Sequence, residues 1–359
     1  MIKSLKKINK SISLSNYLFP PECIVLGVNN VCNLHCKMCD IGTKNLESNF
    51  AQNLVGTHPI NMPLDLIKKI INQTSTFYPK SKLAYAFTEP LVYPYLIESL
   101  SYANSKKLYT TVTTNALTLK QKALQLSEVN LNELFISLDG PELIHNEIRG
   151  HKKSFQKALE GIEILTSQKN IPEISIICAI TEWNIGYLIP LLNSLKKLPI
   201  KEVGFMHTQF NTIDSAKIHN KSKWGIDYPS SDSNIDIIDF SKMNLKKLEQ
   251  EIKEIKESKY PFKVFFSPEI NSIDLLQKYY HLPTKFIGKN CSAVYNNIMI
   301  KSDGSVIPAH GRCYNITIGN IYNENLNQIW ESSILKKLRV DLSTAGGLFP
   351  GCSRCCSAV

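Results

Sequence analysis

The sequence has no apolar run long enough to span a bilayer, which leaves membrane insertion through a helix without a candidate segment. Its N-terminal stretch, MIKSLKKINKSISLSNYLF, is basic and contains serine, but it lacks a secretion signal's apolar core and small-residue cleavage site. It reads as a lead-in helix or tail. No Walker loop, no G-x-G-x-x-G after a strand, no H-E-x-x-H and no G-x-S-x-G occurs, so the common phosphate-loop, dinucleotide, zinc-protease and serine-hydrolase devices are missing. There is no internal repeat. A compact arginine and aromatic patch is also absent, which argues against a nucleic-acid groove. The net charge of +10 comes largely from lysines scattered through an Asn/Ile/Lys-rich chain, and it leaves an anionic substrate open.

What is present suffices for an ordinary core. A chain of 359 residues with 43% hydrophobic residues can hold one large α/β domain and a smaller appendage. Ten cysteines stand at 23, 32, 36, 39, 178, 291, 313, 352, 355 and 356, mostly in close-spaced sets. Without a secretion signal, that pattern reads as metal ligation in a reducing cytoplasm rather than disulfides. Cys23 and Cys178 fall inside apolar strand runs and read as core residues.

The stretch Cys32-Asn-Leu-His-Cys36-Lys-Met-Cys39 follows the first apolar run. Three cysteines spaced C-x3-C-x2-C are one thiolate short of a closed tetrahedral zinc site. Soft thiolates also select iron–sulfur clusters. Three of them leave one iron of a 4Fe–4S cube without a protein ligand, where a substrate or cosubstrate can bind. The alternative is a zinc knuckle completed by His35 or a distant cysteine.

Strand-like runs alternate with amphipathic helical runs, the pattern of parallel βαβ construction. The strands predicted are 23–29, 82–87, 109–113, 133–138, 173–180 and 202–207, and the helices lie near 63–76, 94–105, 118–129, 154–168 and 185–196. Leu64, Ile67, Ile70 and Ile71 share one helix face, as do Leu159, Ile162 and Leu165. Pro63 suits a first turn and Ser154 an N-cap. The expected fold class is α/β, a partial (β/α)6 TIM-like barrel with a small C-terminal hairpin-and-helix domain.

Ligands gather at the carboxyl ends of such strands, and polar residues cluster there: Thr88-Glu89-Pro90, Thr113-Thr114-Asn115, Ser137-Leu138-Asp139 and His207-Thr208-Gln209. His207 and Gln209 are the substrate-facing candidates. Residues 211–235 are polar and aperiodic and read as a long loop over the barrel mouth. A charged amphipathic helix is expected over 242–259 and a further strand over 262–266. Residues 295–300 and 305–309 flank Ser302-Asp303-Gly304 as a hairpin, and a helix follows over 326–340. The division expected is an extension over 1–20, a barrel over 21–210, a linker and lid over 211–285, and a cluster-binding domain over 286–359.

Cys32, Cys36 and Cys39 match the signature of the radical S-adenosylmethionine (SAM) superfamily, which the chain resembles over most of its length. The resemblance implies that these three cysteines carry a catalytic 4Fe–4S cluster that binds SAM. It implies that Glu89, in Phe87-Thr88-Glu89-Pro90, holds the cosubstrate's amino group, although two glycines of the family's Gly-Gly-Glu-Pro turn are replaced. Asn115 lies in a segment like the family's Thr-Asn-Gly, with Ala116 in place of glycine. Ser137 and Asp139 match residues that contact the ribose; two apart on a strand, they face one side. Arg149 stands where the family places an arginine for the methionine carboxylate, a task that suits a forked donor. Met38, Ile180 and Thr181 are implied to meet the adenine.

The C-terminal segment resembles the family's SPASM/twitch extension. Cys291, Cys313, Cys352 and Cys355 are the implied ligands of a second, auxiliary 4Fe–4S cluster. Cys356 is the other option for the last position, and Ala309 replaces a cysteine that often follows the hairpin. A four-cysteine zinc ribbon is the alternative that spacing leaves open. His310 and Arg312, beside Cys313, are candidates for tuning that cluster or meeting substrate.

These readings predict a cytoplasmic radical SAM enzyme that generates a 5′-deoxyadenosyl radical and abstracts hydrogen from a small polar, sugar-like or anionic metabolite. A low-potential donor such as flavodoxin or ferredoxin would supply electrons. The cysteine loop lies near the N-terminus, without room for the winged-helix peptide-binding module of many peptide modifiers. The rivals are a peptide-modifying radical enzyme and a zinc protein that binds nucleic acid.

Overall fold

The computed structural model describes residue 6, residues 17–56, residue 58 and residues 60–358. Most of the lead-in expected over 1–20 lies outside the described residues. Seven strands run parallel in chain order: β1 (Cys23–Leu26), β2 (Lys82–Tyr85), β3 (Thr110–Thr114), β4 (Glu133–Ser137), β5 (Glu173–Ile180), β6 (Glu202–His207) and β7 (Lys263–Ser267). Helices Leu64–Phe77, Leu96–Ser105, Leu119–Glu128, Ser154–Thr166, Leu188–Leu195 and Leu245–Glu257 make the crossovers. Parallel strands are covered on both faces and so read as nearly continuous apolar runs. In β5, Ile174, Ile176, Cys178 and Ile180 are all buried. Cys178 is a core residue, as expected, and Cys23 is half-buried at the start of β1.

The free edge of β1 is not left open. β8 (Asn297–Ile300) pairs with it in parallel, β9 (Ser305–Pro308) returns antiparallel, and β10 (Gly319–Asn320) closes a ten-stranded sheet. The C-terminal hairpin is therefore continuous with the barrel sheet, which brings its cysteine loops beside the strand ends of β1 and β2. Gly304 turns the hairpin at φ +80°, and Asp303 accepts the Ser305 N–H at 3.0 Å.

Three local expectations are corrected. The loop over 211–235 contains a helix, Ile213–Lys221, capped by Thr212, whose hydroxyl accepts the Ser215 N–H at 3.2 Å. The helix expected over 326–340 is two, Leu326–Trp330 and Ser333–Thr344, because the Ser332 side chain caps the second. Ser154 is inside its helix rather than capping it. Its hydroxyl donates to Asn146 Oδ1, which also accepts the Phe155 N–H, each at 2.9 Å. Among the described residues no helix is long and apolar enough to cross a membrane.

Candidate active site

The cysteine motif is a loop beyond the carboxyl end of β1, held from two sides. The Lys37 N–H donates to Ile148 O at 2.9 Å, tying the loop to helix Glu142–Arg149. That helix ends on Gly150 at φ +67°, where a Cβ would stand 2.8 Å from His35 O, so only glycine allows the approach. Cys36 is buried, Cys32 and Cys39 are half-buried, and His35, the zinc alternative's fourth ligand, is exposed.

The strand ends converge on this loop. Arg149 Nη1 lies 3.7 Å from Cys36 Sγ, and its Nε donates to Asp139 Oδ2 at 2.5 Å. Burial opposes the arginine's charge, but the Asp139 carboxylate and Cys36 outweigh it and hold Arg149 protonated. Asn115 Nδ2 donates to Asn33 Oδ1 at 2.8 Å and stands 3.9 Å from Cys32 Sγ. The buried Glu89 accepts from Thr114 Oγ1 at 2.6 Å, the Asn115 N–H at 2.7 Å and the Leu91 N–H at 3.0 Å. Desolvation nevertheless pushes its carboxyl above the usual range.

Phe87 and Ala116, which stand where the resemblance expects glycine, have φ of +87° and +60°. The backbone thus keeps a left-handed shape at both positions despite a side chain.

The remaining sequence candidates divide. Asp139 is fully buried, its second oxygen accepting the Ala179 N–H at 2.9 Å, so in this structure it orients Arg149 and the end of β5. Ser137 is half-buried at the end of β4. Met38 joins Leu34, Leu117, Ile148 and Ile238 in a small apolar cluster around the cysteine loop. Ile180 belongs to the main core, and the Thr181 N–H donates to Asn184 Oδ1 at 2.8 Å, so neither faces that cluster. His207 is buried against Tyr279 and Tyr280, with Nδ1 2.7 Å from the Tyr280 hydroxyl; burial lowers its pKa to about 3.

A second thiolate site lies where the C-terminal loops meet the barrel mouth. Cys291, Cys313, Cys352 and Cys355 line one cavity of about 70 Å³, together with Phe50, Arg312 and Tyr314. Asn53 fastens this region to the barrel, donating to Gly311 O at 2.9 Å and Cys313 O at 2.8 Å. Cys356 is outside that lining; its Sγ lies 3.4 Å from His310 Nε2. Cys355 thus shares the cavity wall with Cys291, Cys313 and Cys352. The ring of His310 stacks on Phe87 with centroids 6.1 Å apart, joining the two sites.

The spacing of Cys32, Cys36 and Cys39 suits a cluster better than a single ion. A tetrahedral zinc–thiolate shell with Zn–S of about 2.3 Å puts sulfurs about 3.8 Å apart. Among the described residues, only His310, Cys355 and Cys356 have three ligand atoms all within 4.8 Å of one another. Neither Cys32, Cys36 and Cys39 nor the cavity cysteines are so compact. Burial pushes the thiols of Cys36 and Cys352 up to about 12, so a cationic centre is what would hold them as thiolates.

A strap crosses the mouth between the β1 and β6 loops. Ser233 Oγ donates to Asp40 Oδ2 at 2.6 Å, the Asn234 N–H to Asp40 Oδ1 at 2.7 Å, and Asn49 Nδ2 to Pro229 O at 3.0 Å. Asp40, Asn49, Asn211, Ser233 and Asn234 were not singled out from sequence. The polar, aperiodic run located the strap but could not rank its residues.

Fold and site together define an iron–sulfur protein with two thiolate centres at the mouth of a parallel sheet. Residues 27–195 match the radical SAM superfamily and residues 291–356 match SPASM, an iron–sulfur cluster-binding domain. The chain thus carries a radical SAM domain and a C-terminal SPASM domain, the domain pair of a radical SAM enzyme, which supports SAM and 4Fe–4S clusters as its cofactors. Among curated relatives, it is 28% identical over 173 residues to the AdoMet-dependent heme synthase of Oleidesulfovibrio alaskensis, covering 46% of this chain and 41% of that protein. It is 24% identical over 185 residues to the Fe-coproporphyrin III synthase of Methanosarcina barkeri (51% and 43%). It is 24% identical over 208 residues to the serine-type anaerobic sulfatase-maturating enzyme of Bacteroides thetaiotaomicron (55% and 48%). The chain thus spans less than half the length of each of these relatives. Among solved structures, Streptococcus suis SuiB bound to its precursor peptide SuiA superposes with TM-score 0.62 at 18% identity, covering 94% of this chain and 71% of SuiB. The AdoMet-bound structure of anSMEcpe superposes with TM-score 0.59 at 18% identity, covering 89% and 82%.

Proposed function

We propose that this enzyme cleaves SAM reductively and abstracts hydrogen from a small polar, anionic metabolite held under the strap. When bound at Cys32, Cys36 and Cys39, the cluster and SAM supply a 5′-deoxyadenosyl radical from one electron, delivered by a donor such as flavodoxin or ferredoxin. The chain's own residues supply aim and exclusion of water. Arg149, kept protonated by Asp139, would receive a carboxylate beside Cys36. Glu89 fixes the turn at the end of β2 against the end of β3 through Thr114 and Asn115. The strap from 229 to 234 roofs the mouth, shielding a reactive intermediate from solvent. Cys291, Cys313, Cys352 and Cys355 would hold an auxiliary cluster, which would supply an electron acceptor for a net oxidation.

The observation that carries this reading is Cys32, Cys36 and Cys39 on one loop beyond β1, with Arg149 against the sulfur of Cys36 and Asn115 against that of Cys32. The peptide alternative draws on the names of SuiB and the sulfatase-maturating enzyme. Anaerobically reconstituted protein should release 5′-deoxyadenosine only with reductant, and Cys36→Ala should abolish that release. Parent-rate cleavage by Cys36→Ala would refute the assignment.

A further inference from the structure

A second chamber, of about 50 Å³, lies between the end of β6 and the auxiliary site; Gln209, Asn211, Ser233, Arg312 and Cys355 are in its wall. Its polar groups are unusual in being buried and unspent. Arg312 Nη1, Gln209 Oε1 and Asn211 Oδ1 have no hydrogen-bond partner. Leaving such a group unpaired in the interior costs about 1–3 kcal/mol, more for a charge, so a ligand that pairs them is strongly favoured. The orientation of Asn211 is fixed, because its Nδ2 donates to Ser230 Oγ at 3.0 Å and to Ser231 O at 2.6 Å, leaving the oxygen for the chamber. The hydroxyl hydrogen of Ser233 goes to Asp40, so Ser233 can only accept. The Arg312 guanidinium lies over the Phe50 ring, its Cζ 4.1 Å from the centroid, and makes no ion pair among the described residues, and no acidic side chain lines the chamber.

Arg354 shares this wall, but its N–H groups all go to main-chain carbonyls, so Arg312 is the cation with a donor to spare, and it stands with three acceptors around the chamber. We propose that this chamber is a subsite for a carboxylate bearing an O–H or N–H donor on a neighbouring carbon, as in a 2-hydroxy or 2-amino acid. Arg312 takes the carboxylate; Gln209, Asn211 and Ser233 take the donor. The auxiliary cluster is not a sufficient partner for this set, since an anionic cluster offers nothing to three acceptors. The subsite deepens the small-metabolite reading and rests on it, because Cys355 in the same wall places the ligand beside the auxiliary centre.

The test uses cluster-loaded, SAM-bound protein and three probes, lactate, propionate and propane-1,2-diol, with sodium chloride matched for ionic strength. Lactate should raise the thermal unfolding midpoint most, propionate less, and the diol not at all. Arg312→Gln should abolish the lactate shift while retaining the auxiliary iron, and Arg312→Lys should keep part of it. Gln209→Leu should erase the advantage of lactate over propionate. Equal shifts from lactate and diol, no lactate shift in the parent, or an undiminished shift in Arg312→Gln would overturn the subsite. So would loss of auxiliary iron in Arg312→Gln, which would assign the guanidinium to the cluster. Measuring 5′-deoxyadenosine on the same samples separates the two claims. Lactate binding without SAM cleavage sinks the proposed function alone, and cleavage without binding sinks the subsite alone.

Discussion

Single side chains at this site act through others as much as on a ligand. Asp139 spends both oxygens on Arg149 and Ala179, so its work is to hold a guanidinium against Cys36. Asp139→Asn leaves a buried cation without its counter-charge and should cost about 3–5 kcal/mol of stability in chemical denaturation. His310 has a defined tautomer, because Nδ1 accepts the Arg312 N–H at 3.2 Å and the ring proton must sit on Nε2. That N–H faces Ser357 Oγ at 3.1 Å, Cys356 Sγ at 3.4 Å and Cys355 Sγ at 3.8 Å. Hydrogen bonds to cluster sulfurs raise the reduction potential. His310→Ala should therefore lower the auxiliary potential in an EPR-monitored redox titration, with iron content retained. The identity of these residues was legible: Arg149 through the family resemblance, and His310 and Arg312 beside Cys313. Their pairings were not, because Asp139 and Arg149 meet only through the ending of helix Glu142–Arg149.

Elements were legible in proportion to their apolar content. The six expected strands are present because each carries a run that must be buried, and β5 and β6 begin and end where expected. Helix Ile213–Lys221 escaped notice because it buries only Ser215, Ala216 and His219, too little for a hydrophobic period. The pairing of β8 with β1 was not foreseeable from local pattern, since a hairpin signal says nothing about which edge it joins. The strap is held by side chains rather than by a ladder. Asn49→Ala removes the acceptor of the Ser231 N–H at 3.1 Å and the donor to Pro229 O. It should speed hydrogen exchange at 229–234 while lowering global stability by about 1–2 kcal/mol. The last helix depends on Arg339, buried over the Trp330 ring at 4.4 Å, with Nε donating to Val294 O at 3.1 Å. Arg339→Ala should cost about 2–4 kcal/mol, read from the denaturation midpoint.

At the scale of the whole molecule, two buried imidazoles set a pH limit. His145 and His207 are each driven down to about 3 by desolvation, so both are neutral in the folded state. The unfolded chain binds protons at these positions below about 6.5, so stability is full above that pH and falls as pH drops towards 3. Each histidine can remove up to about 1.4 kcal/mol per pH unit in that window. Denaturation midpoints at pH 7 and 5 should differ, and His207→Gln should reduce the difference.

The molecule's organisation, two thiolate centres joined through Phe87 and His310 across one sheet, rests on the first centre having an iron that no side chain reaches. The most direct measurement is the EPR spectrum of a reduced variant lacking the auxiliary centre, Cys313→Ala with Cys352→Ala, recorded with and without SAM. A single cluster signal that changes when SAM is added is the predicted result. A signal indifferent to SAM, or zinc in place of iron, would contradict it.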